Sequence, residues 1–413
     1  MILTWDQTDL SMLLKETTAI NPEQNRIDRL FEGAPKRPLL FPWQEELIRY
    51  WIKVYIFFLA LSTYKSVKKT VEVLKIFQEF KKKTFGRDGE RKITTKNGKI
   101  WFGIHIPPFP SRNFNKYILT EFHRYVPHSR PINAFQQVNF AITTKCPMRC
   151  EHCFEWDNLN LPETFSLEQL QQITKKLQNQ GLAHISLSGG EPMIRYEEMV
   201  KLIENGNKDT HWWAITSGFN LNEEKAKRLK KAGVTGLVVS IDHYLPASHN
   251  KFRGHKDAFS HGVKAAISAG KAGLMVAISV CVTKENANRA FLMNFMQLAI
   301  NLGADFVQWL EPKAEGHYRN KDVEMNEGQI QLMEEVYEEL CHHPKYRKFP
   351  PIMYYGYYQR RIGCFSAGRS SFYVDSVGMV HSCPFCHSAD FNIRDWLEMP
   401  VVGRKKITKC ELY

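Results

Sequence analysis

The stretch Thr144–Phe154, TKCPMRCEHCF, holds Cys146, Cys150 and Cys153 at x3 and x2 spacing. Thiolate is the protein ligand of iron–sulfur clusters, and three in one short loop can converge on a single cluster. Three protein ligands leave the fourth iron of a cubane open, which is what a metal centre needs to bind and activate a substrate group. Zinc is the competing reading. It wants four ligands, and although His152 is available, two adjacent ligating positions give poor tetrahedral geometry. Further along, Ser188–Pro192 reads SGGEP. Its glycines, Gly189 and Gly190, let backbone approach a ligand closely, and Glu191 can accept hydrogen bonds from an ammonium group. In His249–Gly254, HNKFRG, the fork of donors on Arg253 suits a carboxylate; a salt bridge holding the loop is the plainer alternative.

A second group of cysteines lies near the C-terminus. Cys364, thirteen residues, Gly378, four residues, Cys383, two residues and Cys386 follow one another, with Cys410 near the end. SSFYV and MVHSC around Asp375–Gly378 read as a hairpin. All nine cysteines, an odd number clustered at short spacings in a long chain, argue for metal ligation over a disulfide framework. MILTWDQTDL lacks the basic start and apolar core of a signal peptide, so a reducing, cytoplasmic setting is expected.

The elements that must position these residues alternate regularly. Apolar runs at Val138–Thr143, His184–Leu187, Trp212–Thr216, Gly236–Ile241, Met275–Val282 and Phe306–Leu310 predict strands. Helical periodicity lies between them at Leu167–Gln180, Glu197–Asn205, Glu223–Ala232, Ala258–Ala269 and Arg289–Leu302. Such alternation predicts an α/β fold with a parallel sheet and right-handed crossovers, six units making a partial (β/α)6 TIM-type barrel. Chemistry in such barrels sits at the C-terminal ends of the strands, where these motifs fall. Three regions are expected: 1–136, helical or irregular and of unknown role; 137–313, the partial barrel; and 314–413, a small region with a helix, the aromatic loop Met353–Arg361 and the cysteine hairpin.

Cys-x3-Cys-x2-Cys followed by Phe154 resembles the signature of the radical SAM superfamily. The resemblance implies a [4Fe–4S] cluster on Cys146, Cys150 and Cys153 whose open iron chelates S-adenosylmethionine. One electron then breaks the sulfonium bond, and the resulting 5′-deoxyadenosyl radical abstracts hydrogen from a substrate. The family's motifs map onto further positions here. Phe154 is similar to the aromatic residue near the adenine. Gly189, Gly190, Glu191 and Pro192 resemble the GGEP motif, whose glutamate contacts the amino group of S-adenosylmethionine. Thr216–Ser217–Gly218 resembles a Thr-Asn-Gly loop, with serine replacing asparagine. Ser240–Ile241–Asp242 matches a Ser-Leu-Asp element, and HNKFRG resembles H-D-x-F-R-G of the peptide- and cofactor-modifying branch, with Asn250 in place of aspartate. The C-terminal spacing resembles SPASM and Twitch domains, which carry auxiliary iron–sulfur clusters. Four cysteines, Cys364, Cys383, Cys386 and Cys410, suffice for a single site, which suits Twitch; a zinc knuckle is the alternative. The resemblance also implies an external one-electron reductant such as flavodoxin or ferredoxin.

Around the barrel's mouth Gln308 and Glu311 are expected either to contact substrate or to fill polar space. Cys281, in the fifth strand, either gives hydrogen to a substrate radical or is a small buried hydrophobe. No role is evident for Cys341. The substrate expected first is a peptide or protein. A lipid modified at the membrane surface competes, and a non-catalytic, metal-stabilised binding protein is the alternative of another class.

With 56 Lys and Arg against 43 Asp and Glu the net charge is +13, which favours an anionic partner or simply lysine-rich helices. The positive charge sits in helices and is not interleaved with stacking aromatics, so nucleic acid is not the expected partner. Tyr50–Tyr64, YWIKVYIFFLALSTY, falls short of the roughly 20 apolar residues that span a bilayer. Val67, Val71, Leu74 and Phe77 then recur at helical spacing among lysines. Residues 50–83 therefore predict either a peripheral contact with an acidic membrane or, more simply, a helical cap on the barrel.

Overall fold

The computed structural model describes residues 31–86, 92–133, 135–364, 370–385 and 389–398. Two helices open it, α1 (Pro42–Tyr64) and α2 (Val67–Phe85), followed by a short hairpin of β1 (Thr94–Lys96) and β2 (Lys99–Trp101), and then α3 (Arg112–Tyr125). The alternating region follows as β3 (Gln137–Ala141), α4 (Leu167–Asn179), β4 (His184–Ser188), α5 (Tyr196–Glu204), β5 (His211–Thr216), α6 (Glu223–Ala232) and β6 (Val234–Ser240). It continues through α7 (Pro246–Arg253), α8 (Ala258–Lys271), β7 (Met275–Cys281), α9 (Arg289–Asn301) and β8 (Phe306–Leu310). The chain then forms α10 (Glu327–His342), β9 (Ile352–Tyr354), α11 (Tyr355–Ile362), β10 (Ser371–Val374), β11 (Met379–His381), β12 (Phe391–Asn392) and α12 (Ile393–Glu398).

All six expected strands form, within two residues at their starts and ends, and they pair in chain order as a parallel sheet. The reasons are local. β7 is buried at every position, as a strand covered on both faces must be, and therefore reads as an unbroken apolar run. α4 buries Leu170, Ile173 and Leu177 along one stripe, and its start is fixed by Ser166 accepting from the Gln169 amide. Asn222 and Asn288 cap α6 and α9 in the same way.

The sheet does not stop at residue 313. β9 pairs in parallel with β8, and β10 pairs in parallel with β3 from Ser371↔Gln137 to Val374↔Phe140. β11 and β12 add antiparallel strands beyond β10. The ten-stranded order is β12-β11-β10-β3-β4-β5-β6-β7-β8-β9, with β9 and β10 flanking the six central strands. Strand pairing thus crosses the boundary expected between 313 and 314. The hairpin itself forms as expected: Gly378 has φ +93° and Asp375 Oδ1 accepts from the Val377 and Met379 amides.

The segment expected as an aromatic loop, Met353–Arg361, is instead the end of β9 and all but the last residue of α11. Tyr354, Tyr357 and Tyr358 are buried, with Tyr337 Oη 3.0 Å from Tyr358 Oη. Their rings pack as core, which a reading of composition alone mistakes for a binding loop. Trp101 and Ile104, from and just after the β1–β2 hairpin, pack with Trp213, Val238, Met275, Phe306 and Met353 inside the sheet's curve. Lys96 pins this hairpin to the barrel through a 2.6 Å ion pair with the buried Asp305.

Candidate active site

The cysteine loop leaves the C-terminal end of β3 and is held by its neighbours through backbone bonds. The Gly190 amide donates to Thr143 O at 2.8 Å and the Glu191 amide to Lys145 O at 2.7 Å. The Arg149 amide donates to Arg253 O, the Glu151 amide to Phe252 O and the His317 amide to Cys153 O, at 2.9, 3.0 and 2.9 Å. Asn160 Oδ1 accepts from the Cys146 amide at 3.1 Å. The loop after β4, the end of α7 and the turn after β8 all grip this one.

The two glycines of SGGEP have a specific steric reason. A Cβ on Gly189 would strike Thr143 O, and one on Gly190 would strike Lys145 O and lie 3.0 Å from Cys146 Cβ. What approaches these glycines is the backbone of the cysteine loop. Gly254 plays the same part on the other side, with Arg149 O 2.6 Å from where its Cβ would be.

Glu191 is fully buried and its carboxylate is saturated. Oε1 accepts from the Met193 amide (3.0 Å) and Thr216 Oγ1 (2.6 Å). Oε2 accepts from the amide and hydroxyl of Ser217, at 2.8 and 2.5 Å. Burial pushes this carboxyl above its ordinary range, while the Ser217 and Thr216 bonds pull against that. The serine that stands for asparagine thus welds the loop after β5 to the loop after β4.

Asp242 and Arg253 form a second buried unit. Arg253 Nε donates to Asp242 Oδ2 at 2.5 Å, and Asp242 Oδ1 accepts from the Cys281 amide at 2.8 Å. Burial would raise the Asp242 carboxyl, but the Arg253 guanidinium, with His152 and His249 beside it, leaves it below its ordinary value. The other arm of Arg253 reaches the cluster loop, with Nη1 3.5 Å from Cys150 Sγ. Arg253 is therefore both the salt bridge of the plainer reading and a donor to a candidate ligand sulfur.

Burial pushes the Cys146 thiol up to about 12, and it raises Cys150 and Cys153 as well, Arg253 opposing it at Cys150. Such thiols need a metal to give up their protons, which a coordinating ion brings about directly. Among the described residues, no three Cys, His, Asp or Glu side chains draw together tightly enough for one metal ion. A cubane takes each thiolate on a separate iron. The donor set of one loop, thiolates only, fits the cluster. His152 stacks on Phe252 at 4.8 Å, its ring held neutral by burial, which lowers its pKa to about 4.

One cavity of about 1230 Å³ adjoins all three cysteines. Single small ligands usually occupy ~300–1,000 Å³, so this one has room for a cofactor and a substrate together. Phe154, Gly189, Gly190, Glu191, Ser217, Ser240, Asp242 and Arg253 line it, as do Gln308, Glu311 and Cys281. Pro192 and Gly218 do not. Pro192 is buried at the start of a short turn, and Gly218, at φ +83°, lets the loop pass 2.5 Å from His261 O to where its Cβ would be. Glu311 is engaged, accepting from Tyr354 Oη at 2.6 Å and Arg360 Nη1 at 2.8 Å. Cys364 and Cys383 line the same cavity, whereas Cys386 and Cys410 lie outside the described residues.

Several contributors carry no recognisable motif. Glu155, directly after Phe154, is buried and accepts from Tyr373 Oη and Ser376 Oγ, tying the cysteine loop to the β10–β11 hairpin. Phe154 meets the Tyr373 ring edge-on at 5.7 Å. From α2 and α3, Phe80, Phe85, Tyr117 and Arg124 also line the cavity. Glu155 sits among Glu151, His152, Asp157 and Asn158, so nothing singled it out; the spacing of Val67, Val71, Leu74 and Phe77 marked α2 as a helix but not as a wall of this cavity.

Comparison with known proteins agrees with this geometry. A 26% identical stretch of 183 residues is shared with GTP 3′,8-cyclase of Nautilia profundicola, covering 42% of this chain and 56% of that protein. PqqA peptide cyclase of Methylocella silvestris is 29% identical over 171 residues, 40% of this chain and 44% of that one. The chain thus spans about half the length of the curated relatives it matches. The fold is similar to SuiB of Streptococcus suis bound to its precursor peptide SuiA, with a TM-score of 0.53 at 14% identity over 83% of this chain and 81% of that one. Residues 140–296 match the profile of the Radical SAM superfamily, and with the cysteine loop, its supporting loops and the parallel sheet in place, this chain carries a radical SAM domain.

Proposed function

We propose that the protein is an enzyme that cleaves S-adenosylmethionine reductively and uses the radical to modify a peptide or protein. The observation that carries this reading is the placement of Cys146, Cys150 and Cys153 on the wall of a cavity roomy enough for cofactor and substrate together. A [4Fe–4S] cluster held there, with S-adenosylmethionine on its open iron, would supply the electron that breaks the sulfonium bond and the 5′-deoxyadenosyl radical that takes hydrogen from substrate. The chain's own part is positioning. Gly189 and Gly190 admit the cysteine loop, Glu191 locks the loops after β4 and β5, and Asp242 sets the arm of Arg253 against Cys150. Phe154 is assigned to the adenine side. Ser217, Ser240 and the surrounding backbone are assigned to polar contacts with the cofactor.

The peptide assignment is supported by the peptide-acting relatives named above. Cys364 and Cys383 on the same cavity support an auxiliary iron–sulfur site completed by Cys386 and Cys410, with electrons entering from a flavodoxin- or ferredoxin-type donor. The deciding experiment is anaerobic reconstitution with strong reductant and quantification of 5′-deoxyadenosine. Formation by the wild type and none by Cys146→Ala/Cys150→Ala/Cys153→Ala is expected; equal formation by both would refute the assignment. For the substrate class, deuterated cell extract separated into peptide and lipid fractions is offered to the enzyme. Deuterium in 5′-deoxyadenosine should come from the peptide fraction. Label from lipid alone would transfer the function to the lipid reading, which the aromatic cavity wall on α2 and α3 favours.

A further inference from the structure

We infer that the outer face of α1, with the lysine row of α2, is a docking surface for an anionic phospholipid bilayer. Along α1, Trp43, Leu47, Tyr50, Trp51 and Phe58 recur at spacings of three, four and seven, so they share one side of the helix. Each is between 48% and 62% exposed, and no charged residue interrupts their stripe. Single exposed hydrophobes are ordinary, but a contiguous apolar stripe of this kind marks an interaction site.

The chemistry of the stripe selects the partner. Tryptophan and tyrosine pair an apolar ring with a polar edge, which suits the boundary between lipid headgroups and acyl chains. Lys68, Lys75 and Lys82 follow on α2 at intervals of seven residues, two turns each, and all three are exposed. Val67 and Val71, exposed as well, share that side. An apolar stripe and a basic row on consecutive, mutually packed helices are complementary to an acidic membrane surface, to which each nearby lysine adds attraction.

α1 is long and apolar enough, at 23 residues, to cross a membrane, but its inner side is committed to protein. Ala60 is fully buried and, with Ile56, Leu59 and Tyr64, packs in a core shared with α2 and α3. Tyr64 Oη donates to Val126 O at 2.6 Å and Tyr55 Oη to Asn115 Oδ1 at 2.9 Å. A spanning helix would have to break these contacts; an in-plane helix keeps them and buries only its free face. α2 also carries Phe80 and Phe85 into the cavity wall, so docking would bring the cavity close to the headgroups.

The test uses the full-length protein, without S-adenosylmethionine, sedimented with vesicles of equal phosphatidylglycerol and phosphatidylcholine or of phosphatidylcholine alone. Binding to the acidic vesicles, weakened by salt, is expected. Trp51→Ser/Phe58→Ser should lower the partition at least about tenfold, and Lys68→Gln/Lys75→Gln/Lys82→Gln roughly fivefold per lysine, both leaving 5′-deoxyadenosine formation unchanged. Absence of binding to acidic vesicles, or binding that neither variant weakens, overturns the proposal. So does a dimer that the serine substitutions dissolve, which would assign the face to a second copy. A fall in Tm on serine substitution without vesicle binding would show the face to be internal, and would overturn it equally.

Discussion

The two cysteine-bearing regions are built differently, although both open on the same cavity. Cys146, Cys150 and Cys153 come from one loop that is clamped by backbone bonds from the loop after β4, the end of α7 and the turn after β8. Cys364 follows α11 and Cys383 follows β11, so their approach depends on how helix and hairpin sit against the barrel. The first site is local in sequence and over-determined by its surroundings. The second is assembled from separate elements, with two of its four candidate ligands outside the described residues. A loop whose ligands lie within eight residues announces its chemistry; a site gathered over a longer stretch does so only through its fold.

Replacing all three loop cysteines by alanine should have the largest effect, reducing 5′-deoxyadenosine to background and removing about four irons per chain. Cys364→Ser/Cys383→Ser should also remove about four irons if the second site holds a cubane, but leave reductive cleavage of S-adenosylmethionine within a few-fold. Iron analysis beside product quantification separates the two regions; equal loss of cleavage in both variants would erase the distinction drawn between them.

The clamp on the first loop can be broken without touching a ligand. Gly190→Ala places a methyl group on Lys145 O, and a loss of roughly 3 kcal/mol by denaturant unfolding, with poorer iron loading, is expected. Unchanged stability would mean that the loop is less tightly gripped than its bonds imply. Arg253→Met leaves Asp242 charged and buried, at a cost of about 3–5 kcal/mol, and most of this should return in Arg253→Met/Asp242→Asn, where no buried charge is left. Absence of recovery would show that the bond from Arg253 to Cys150 matters more than the ion pair.

The smallest expected effect lies far from both clusters. Burial lowers Lys92 from its ordinary value of 10.5 to about 8, where its Nζ donates to Tyr346 O at 2.6 Å. Between these values the folded protein has released a proton that the unfolded chain still holds, so stability rises with pH across that window. Lys92→Met should flatten this rise, read as denaturation midpoints over the alkaline range. An unchanged slope would assign it to other groups.

Much of the barrel was legible because each of its strands is either a continuous apolar run or a short one bounded by an amphipathic helix. β9 was not, and β10 was legible only as one strand of a hairpin, not as a neighbour of β3. Each is only three or four residues long, and β10 owes its place to parallel pairing with β3, more than two hundred positions earlier in the chain. α7 was read only as a motif, since HNKFRG follows a proline that begins its helix and supplies no apolar periodicity. The tyrosines of Met353–Arg361 have the composition of a binding loop, and only the packing of Tyr337 against Tyr357 and Tyr358 makes them core.

By itself the sequence determined the ligand loop, the strand-end position of each motif and the glycines beside them, because these depend on spacing and on local backbone freedom. The tertiary structure decided what those residues touch. It turned the SGGEP glycines toward the cysteine backbone, saturated Glu191 with Ser217 and Thr216, and divided Arg253 between Asp242 and Cys150. It also left the aromatic stripe of α1 facing outward. Contacts of this kind join segments far apart in the chain, and their energies depend on burial and on a partner's direction, neither of which a linear pattern records.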